Sequence, residues 1–130
     1  MPAGVLNKVG SSAGSVVPVT LITTPVLPTA QRAYVTEFAV SMGPGSTNGL
    51  FILQMSNDGF ALNIVEKYRI AMPSPGSFVV TFDSGLLIPS GYAARVIFSQ
   101  GVAGVAGGTI SGSTERTDDT SLPGTDIIDM

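Results

Sequence analysis

The side chains that could do acid–base chemistry in this sequence are nine aspartates and glutamates, with no histidine or cysteine among the 130 residues. A glycosidase uses two such carboxylates, one on each side of the bond that it breaks. Glu37 with Asp83, or Glu66 with Asp58, could meet in space, but their spacing favours solvated surface carboxylates. Without imidazole or thiolate there is no Ser–His–Asp triad, no cysteine nucleophile and no common zinc site. We therefore expect no enzymatic activity, no metal and no cofactor.

Three further features invite a ligand interpretation. Asn57-Asp58-Gly59 resembles the start of a calcium loop, but the other ligands and the closing glutamate are missing, which favours a hairpin turn. The glycines of Gly101–Gly108 are not followed by the Lys-Ser/Thr pair of a phosphate-binding loop. Aromatic residues fall mostly in phase with strand alternation, which predicts core positions, although an exposed Tyr92 could stack on a sugar.

Charge is sparse and unevenly distributed along the chain. Charged residues make up 12% of the sequence, and the net charge is −3. Residues 115–130 carry five carboxylates and one arginine, so the rest of the chain is close to neutral. Because no lysine or arginine cluster exists to neutralise phosphates, we do not expect nucleic-acid binding. No apolar run is long enough to span a membrane, and the N-terminus lacks a secretory pattern, so we expect synthesis in a cytoplasm.

Short β-branched runs, separated by Gly, Pro, Asn and Asp, predict an all-β protein. The predicted strands cover residues 16–23, 32–42, 50–56, 62–72, 77–83, 92–100 and 102–114, with an apolar stub at 86–88. The glycine density of the last segment predicts bulges or a close backbone approach. This strand count predicts a single jelly-roll-like antiparallel β-sandwich of seven to eight strands.

Strict alternation along two of these segments predicts which side chains share a face. In the segment 32–42 it places Tyr34 and Phe38 together, opposite Val35. In the segment 62–72 it places Glu66 on the otherwise apolar face of Tyr68. The charges of these strands are expected to form solvated or cross-strand pairs, or bridges between subunits.

The two ends of the chain are predicted to be arms, residues 1–15 and 115–130, around a sandwich domain at 16–114. Each arm has too few apolar groups to fold alone, so it is either disordered or ordered on a neighbour. The apolar segment 50–55 is predicted to form a sheet face through which copies associate. The candidate interaction residues are Val5, Leu6 and Val9 in the first arm, Leu50 and Ile52 in the sheet face, and Ile127 and Ile128 in the second arm.

Four stretches together resemble small virion proteins of tailed bacteriophages: QRAYVTEFAVS, LFILQMSNDGFALNIVEKYRI, FVVTFDSGLLIPSGYAARVIFSQ and GGTISGS. They cover about residues 31–113, and the resemblance lies in the order of strands and turns. It implies a jelly-roll capsid decoration (cement) protein or a head- or tail-fibre module, located in the virion and made in the host cytoplasm. The implied partners are the major capsid protein and further copies of the chain, as a homotrimer, with neither nucleic acid nor membrane.

Two functions remain open from the sequence. The first is a cement protein that binds the assembled head and stabilises it through contacts between subunits. The second is a carbohydrate- or receptor-binding module of a fibre, in which loops such as 43–49 and 101–108 contact the ligand.

Overall fold

Eight β-strands form the part of the chain that the computed structural model describes, which is residues 3–13, 18–45, 47–102 and 105–116. None of these residues forms a helix long and apolar enough to cross a membrane. The strands are β1 (Ala3–Ala13), β2 (Val19–Thr23), β3 (Gln31–Met42), β4 (Thr47–Ser56), β5 (Ile64–Met72), β6 (Gly76–Ile88), β7 (Ala93–Val102) and β8 (Val105–Arg116).

The strands form two antiparallel sheets of four, and their order is that of a jelly roll. The first sheet has the order β1-β8-β3-β6, and the second has the order β2-β7-β4-β5. Each strand of the first half of the chain pairs with one of the second half: β1 with β8, β2 with β7, β3 with β6 and β4 with β5. This is the pattern of one long hairpin rolled into two layers, and it confirms the predicted fold class.

The core lies between the two sheets and is apolar. Alternate residues of each strand point inward, so that one face of each sheet is buried and the other is exposed. The rings of Phe51 and Phe98 are 5.1 Å apart at its centre. The largest fully buried apolar side chains are Phe38, Phe51, Phe98, Leu6, Leu27, Leu53, Ile88, Ile110, Val35 and Val96.

The N-terminal segment belongs to this sandwich, where the sequence predicted an arm at residues 1–15. Strand β1 pairs with β8 in continuous register from Ala3 to Ala13, and Leu6 is fully buried. A Cβ added at Gly10 would lie 1.8 Å from the carbonyl oxygen of Leu21, so the glycine permits β1 to pass close to β2. At the other end, residues 115 and 116 complete β8. The rest of the predicted second arm lies outside the described residues.

Two register shifts change which side chains share a face. The pairing of β3 shifts between Val35 and Glu37, so Val35 and Phe38 are both buried and Tyr34 is on the outer side. The pairing of β5 with β4 shifts at Lys67, so Glu66 leaves the face of Tyr68. An extra residue in a strand reverses the alternation beyond it, which is why strict alternation assigned these faces wrongly.

Candidate functional site

The outer face of the first sheet is rich in hydroxyls and poor in charge, and we call it the hydroxyl face. The registers align its side chains in four rows across β1, β8, β3 and β6. The rows are Val5, Ser113, Tyr34 and Leu87; Asn7, Ser111, Glu37 and Thr81; Val9, Thr109, Ala39 and Val79; and Ser11, Gly107, Ser41 and Ser77. Only one of these sixteen residues, Glu37, is charged. The next row at one end of the same face holds Arg32 and Glu115, which form an ion pair with each other.

Apolar side chains are exposed along both edges of the hydroxyl face. Val9 on β1 is 74% exposed, and Val79 on β6 is 55% exposed. Between them, the small residues Ser41, Ser77 and Gly107 leave a shallow depression of about 130 Å³. A surface with few charges costs less free energy to remove from water than a charged one does, provided that its hydroxyls find hydrogen-bond partners.

The outer face of the second sheet carries charges that have partners within the chain. On β5, Arg69 donates to Glu66 at 2.9 Å through Nε, and this hydrogen bond lowers the pKa of the Glu66 carboxyl. On β7, Arg95 donates to Gln54 at 2.9 Å, and its guanidinium lies 4.2 Å from the centre of the Phe60 ring. Glu66, Arg69 and Arg95 therefore have partners within the chain. In the first sheet, a cross-strand ion pair joins Arg32 to Glu115 at 2.6 Å.

The loop between β4 and β5 is organised around the carboxylate of Asp58. Ser56 donates its hydroxyl to this carboxylate at 2.6 Å. Three backbone amides also donate to it, those of Ala61 at 3.2 Å, Leu62 at 3.0 Å and Asn63 at 2.9 Å. The hydrogen bond from Ser56, followed by those from the amides, lowers the pKa of Asp58 to about 2. Asp58 thus holds a loop of seven residues, longer than the tight hairpin turn that the sequence indicated.

Three of the side chains that suggested chemistry, Tyr92, Asp58 and Glu66, make contacts within the chain. Tyr92 is half-buried and packs against the core, so it does not present a ring for stacking. Asp58 is engaged by its loop and Glu66 by Arg69. Across residues 3–13, 18–45, 47–102 and 105–116, no three Asp, Glu, His or Cys side chains lie close enough together to hold a metal ion.

The structure separates the residues that the sequence proposed for interaction. Val5 and Val9 lie exposed on the hydroxyl face, but Leu6 points into the core. Ile52 is only 7% exposed, since it lies in the middle of the second sheet between Arg69 and Ile97. Leu50 is half-buried beside an open depression of about 200 Å³ at the end of the β4–β5 pair. The predicted sheet face at residues 50–55 is therefore mostly covered within the chain.

Strand β6 carries a surface that the sequence reasoning did not identify. Its Phe82 packs edge-on against Tyr68 of β5, with the ring centres 5.2 Å apart, so β5 and β6 flank the same side of the sandwich. Phe78, which has no such cover, is 51% exposed. The signal in the sequence was the run of six residues from Ser77 to Phe82, which contains no charge, proline or glycine.

Comparisons with known proteins give a structural likeness but no family or curated match. No family model matches the chain, and neither does any curated protein. The chain is similar to a chain in a structure of infectious bursal disease virus, Gx strain, with a TM-score of 0.46 and 15% sequence identity. The match covers 92% of this chain and 35% of that one, so this chain spans about a third of the length of the viral chain.

Proposed function

We propose that this protein is a structural subunit of a virion, and that it decorates the assembled head by binding the major capsid protein through its hydroxyl face. The observation that carries the proposal is the composition of that face, where only one of sixteen residues is charged. Its hydroxyls can hydrogen-bond to a partner, while Val5, Val9 and Val79 supply apolar contact. The resemblance of the strands and turns to tailed-phage virion proteins supports the same role.

The hydroxyl face is too small to form a stable interface alone, so other segments must contribute contact area. Four strands about 4.8 Å apart, over four rows of alternate residues, give a projected area of roughly 500 Å². A stable protein–protein interface buries about 800 Å² on each partner. The segment 117–130, which includes the predicted anchors Ile127 and Ile128, is our candidate for the missing area.

Co-sedimentation with purified tailed-phage heads that have been stripped of their decoration proteins tests this function. We expect the full-length protein to pellet with heads. We expect the variant Thr109→Lys to lose this binding, because it puts a charge in the middle of the hydroxyl face. The matched control is Thr20→Lys, the same change at an exposed position of the second sheet. Equal pelleting of both variants would exclude the hydroxyl face as the binding surface.

A second variant tests the contribution of the C-terminal segment. A chain that ends at Arg116 retains all eight strands, so we expect it to fold with an unchanged melting temperature. We expect it to bind heads more weakly than the full chain does, because it lacks Ile127 and Ile128. Full binding by this shortened chain would limit the interface to the sandwich itself.

A further inference from the structure

The four edge strands differ in their protection against pairing with another chain. Natural proteins protect free edges with charges, prolines, bulges, very short strands or inward-pointing charged residues. Strand β2 has five residues and lies between Pro18 and Pro25. Strand β5 carries Glu66, Lys67 and Arg69, and β1 carries Lys8 in register with the buried Ile110.

Strand β6 has none of these devices over residues 77–81. It is the last strand of the first sheet, so one of its edges has no neighbour among the described strands. Its pairing with β3 runs without a shift from Gly76 to Thr81, and the bulge comes only after that. Phe78 and Val79 are each more than half exposed there. A regular, uncharged and apolar edge of this kind is a template for an additional strand.

We propose that two copies of this chain pair through β6, antiparallel, about a twofold axis at Val80. The sequence Ser-Phe-Val-Val-Thr-Phe suits this register because Phe78 and Phe82 lie two residues on either side of Val80. Phe78 of one copy then lies opposite Phe82 of the second, on the face that points into the sandwich. This covers the aromatic ring that the single chain leaves exposed.

The charges nearest to this edge are compatible with the same register. Asp83 falls opposite Ser77 of the second copy, so the two Asp83 carboxylates lie six residues apart along the new strand pair, roughly 20 Å. That separation exceeds the Debye length of about 8 Å at physiological salt, so their repulsion is screened. No other charge lies between residues 76 and 88.

The contact is too small for a permanent dimer. It covers one strand edge with the exposed parts of Phe78 and Val79, which is well below the roughly 800 Å² per partner of a stable interface. We therefore expect a weak dimer that dissociates on dilution. The pairing would also join the two first sheets edge to edge and place two hydroxyl faces side by side, but it does not depend on a role in a virion.

Analytical ultracentrifugation of the full-length protein, without heads, over a wide range of concentrations tests the pairing. We expect a monomer–dimer equilibrium that Val79→Lys weakens about tenfold, because it brings two like charges together and removes apolar contact. The control is Val9→Lys, which changes an exposed valine in the same row at the opposite edge of the sheet. A wild type that is monomeric throughout, a trimer, or an equal effect of Val9→Lys would overturn the proposal.

A charge-swap experiment distinguishes twofold pairing from a contact of β6 with a different edge. In the proposed register Val79 lies opposite Thr81 of the second copy, so the two position-79 side chains are diagonal neighbours on the outer face. We expect Val79→Lys and Val79→Glu each to dimerise more weakly than the wild type when alone, and to form a mixed dimer of higher affinity when combined. If β6 paired with another edge, these two side chains would not meet and mixing would restore nothing, which would refute the twofold arrangement.

Discussion

Replacement of Leu6 by alanine tests whether β1 is an integral strand or an arm. Leu6 is completely buried, with 0% of its surface accessible to solvent, and it belongs to the central apolar cluster. The change removes the equivalent of three methylene groups, each about 0.8 kcal/mol, and leaves a cavity that adds to this loss. We expect the free energy of unfolding to fall by about 3 kcal/mol. For a domain of this length that corresponds to a drop in melting temperature of about 10 °C.

Val9→Ala on the same strand provides the matched control. Val9 is 74% exposed on the hydroxyl face, so its truncation should change the free energy of unfolding by less than about 0.5 kcal/mol. Thermal and urea unfolding, followed by circular dichroism, would measure both variants. If Leu6→Ala were no more destabilising than Val9→Ala, β1 would not be packed as described, and residues 1–15 would form the arm that the sequence indicated.

Two further changes probe the local geometry. Gly112→Ala should destabilise the fold by at least about 2 kcal/mol, because its Cβ would lie 1.8 Å from the carbonyl oxygen of Tyr34. Gly43→Ala, whose Cβ would meet nothing closer than 3.5 Å, should be tolerated, and equal melting temperatures for the two would contradict the close approach of β8 and β3. Asp58→Asn should destabilise the fold at neutral pH, because Asp58 has a pKa of about 2 in the folded chain against 3.8 ordinarily. The stability that the carboxylate contributes is present above pH 3.8 and is lost as the pH falls through 2, so the curves for wild type and variant should converge in acid; a constant gap would show that ionisation of Asp58 does not matter.

Most of the strands from β2 to β8 could be predicted from the sequence because they combine β-branched residues with turn residues at both ends. The segment predicted at 32–42, for example, is β3 at Gln31–Met42. An exception is β6, which runs unbroken from Gly76 to Ile88, where the sequence predicted a strand at 77–83 and a separate stub at 86–88. The glycines predicted to mark a close approach in the last segment do so at Gly112. Strand β1 was missed because Gly4, Gly10 and Ser11 suggested a solvated arm. In the structure, position 10 requires a glycine because the neighbouring backbone leaves no room for a side chain.

The proposed binding surfaces were harder to predict because they depend on pairing between distant strands. A sequence shows that Leu6 and Ile52 are apolar, but only the sheet order shows that one lies in the core and the other in the middle of a sheet. The hydroxyl face is assembled from residues more than 100 positions apart, such as Val5 and Ser113. The uncharged run in β6 was visible in the sequence, but its place at an edge was not.

The pairing of the first strand with the last has a consequence for how the chain folds as it is made. Ala3 lies in register with Glu115, so β1 has no partner until nearly the whole described chain has left the ribosome. At a synthesis rate of roughly 5–20 residues per second, β1 waits on the order of 5–20 seconds for β8. Pairings between residues this far apart in sequence also make folding slow. During this wait the uncharged β6 segment is already synthesised, so nascent chains should be most prone to wrong association before β8 emerges.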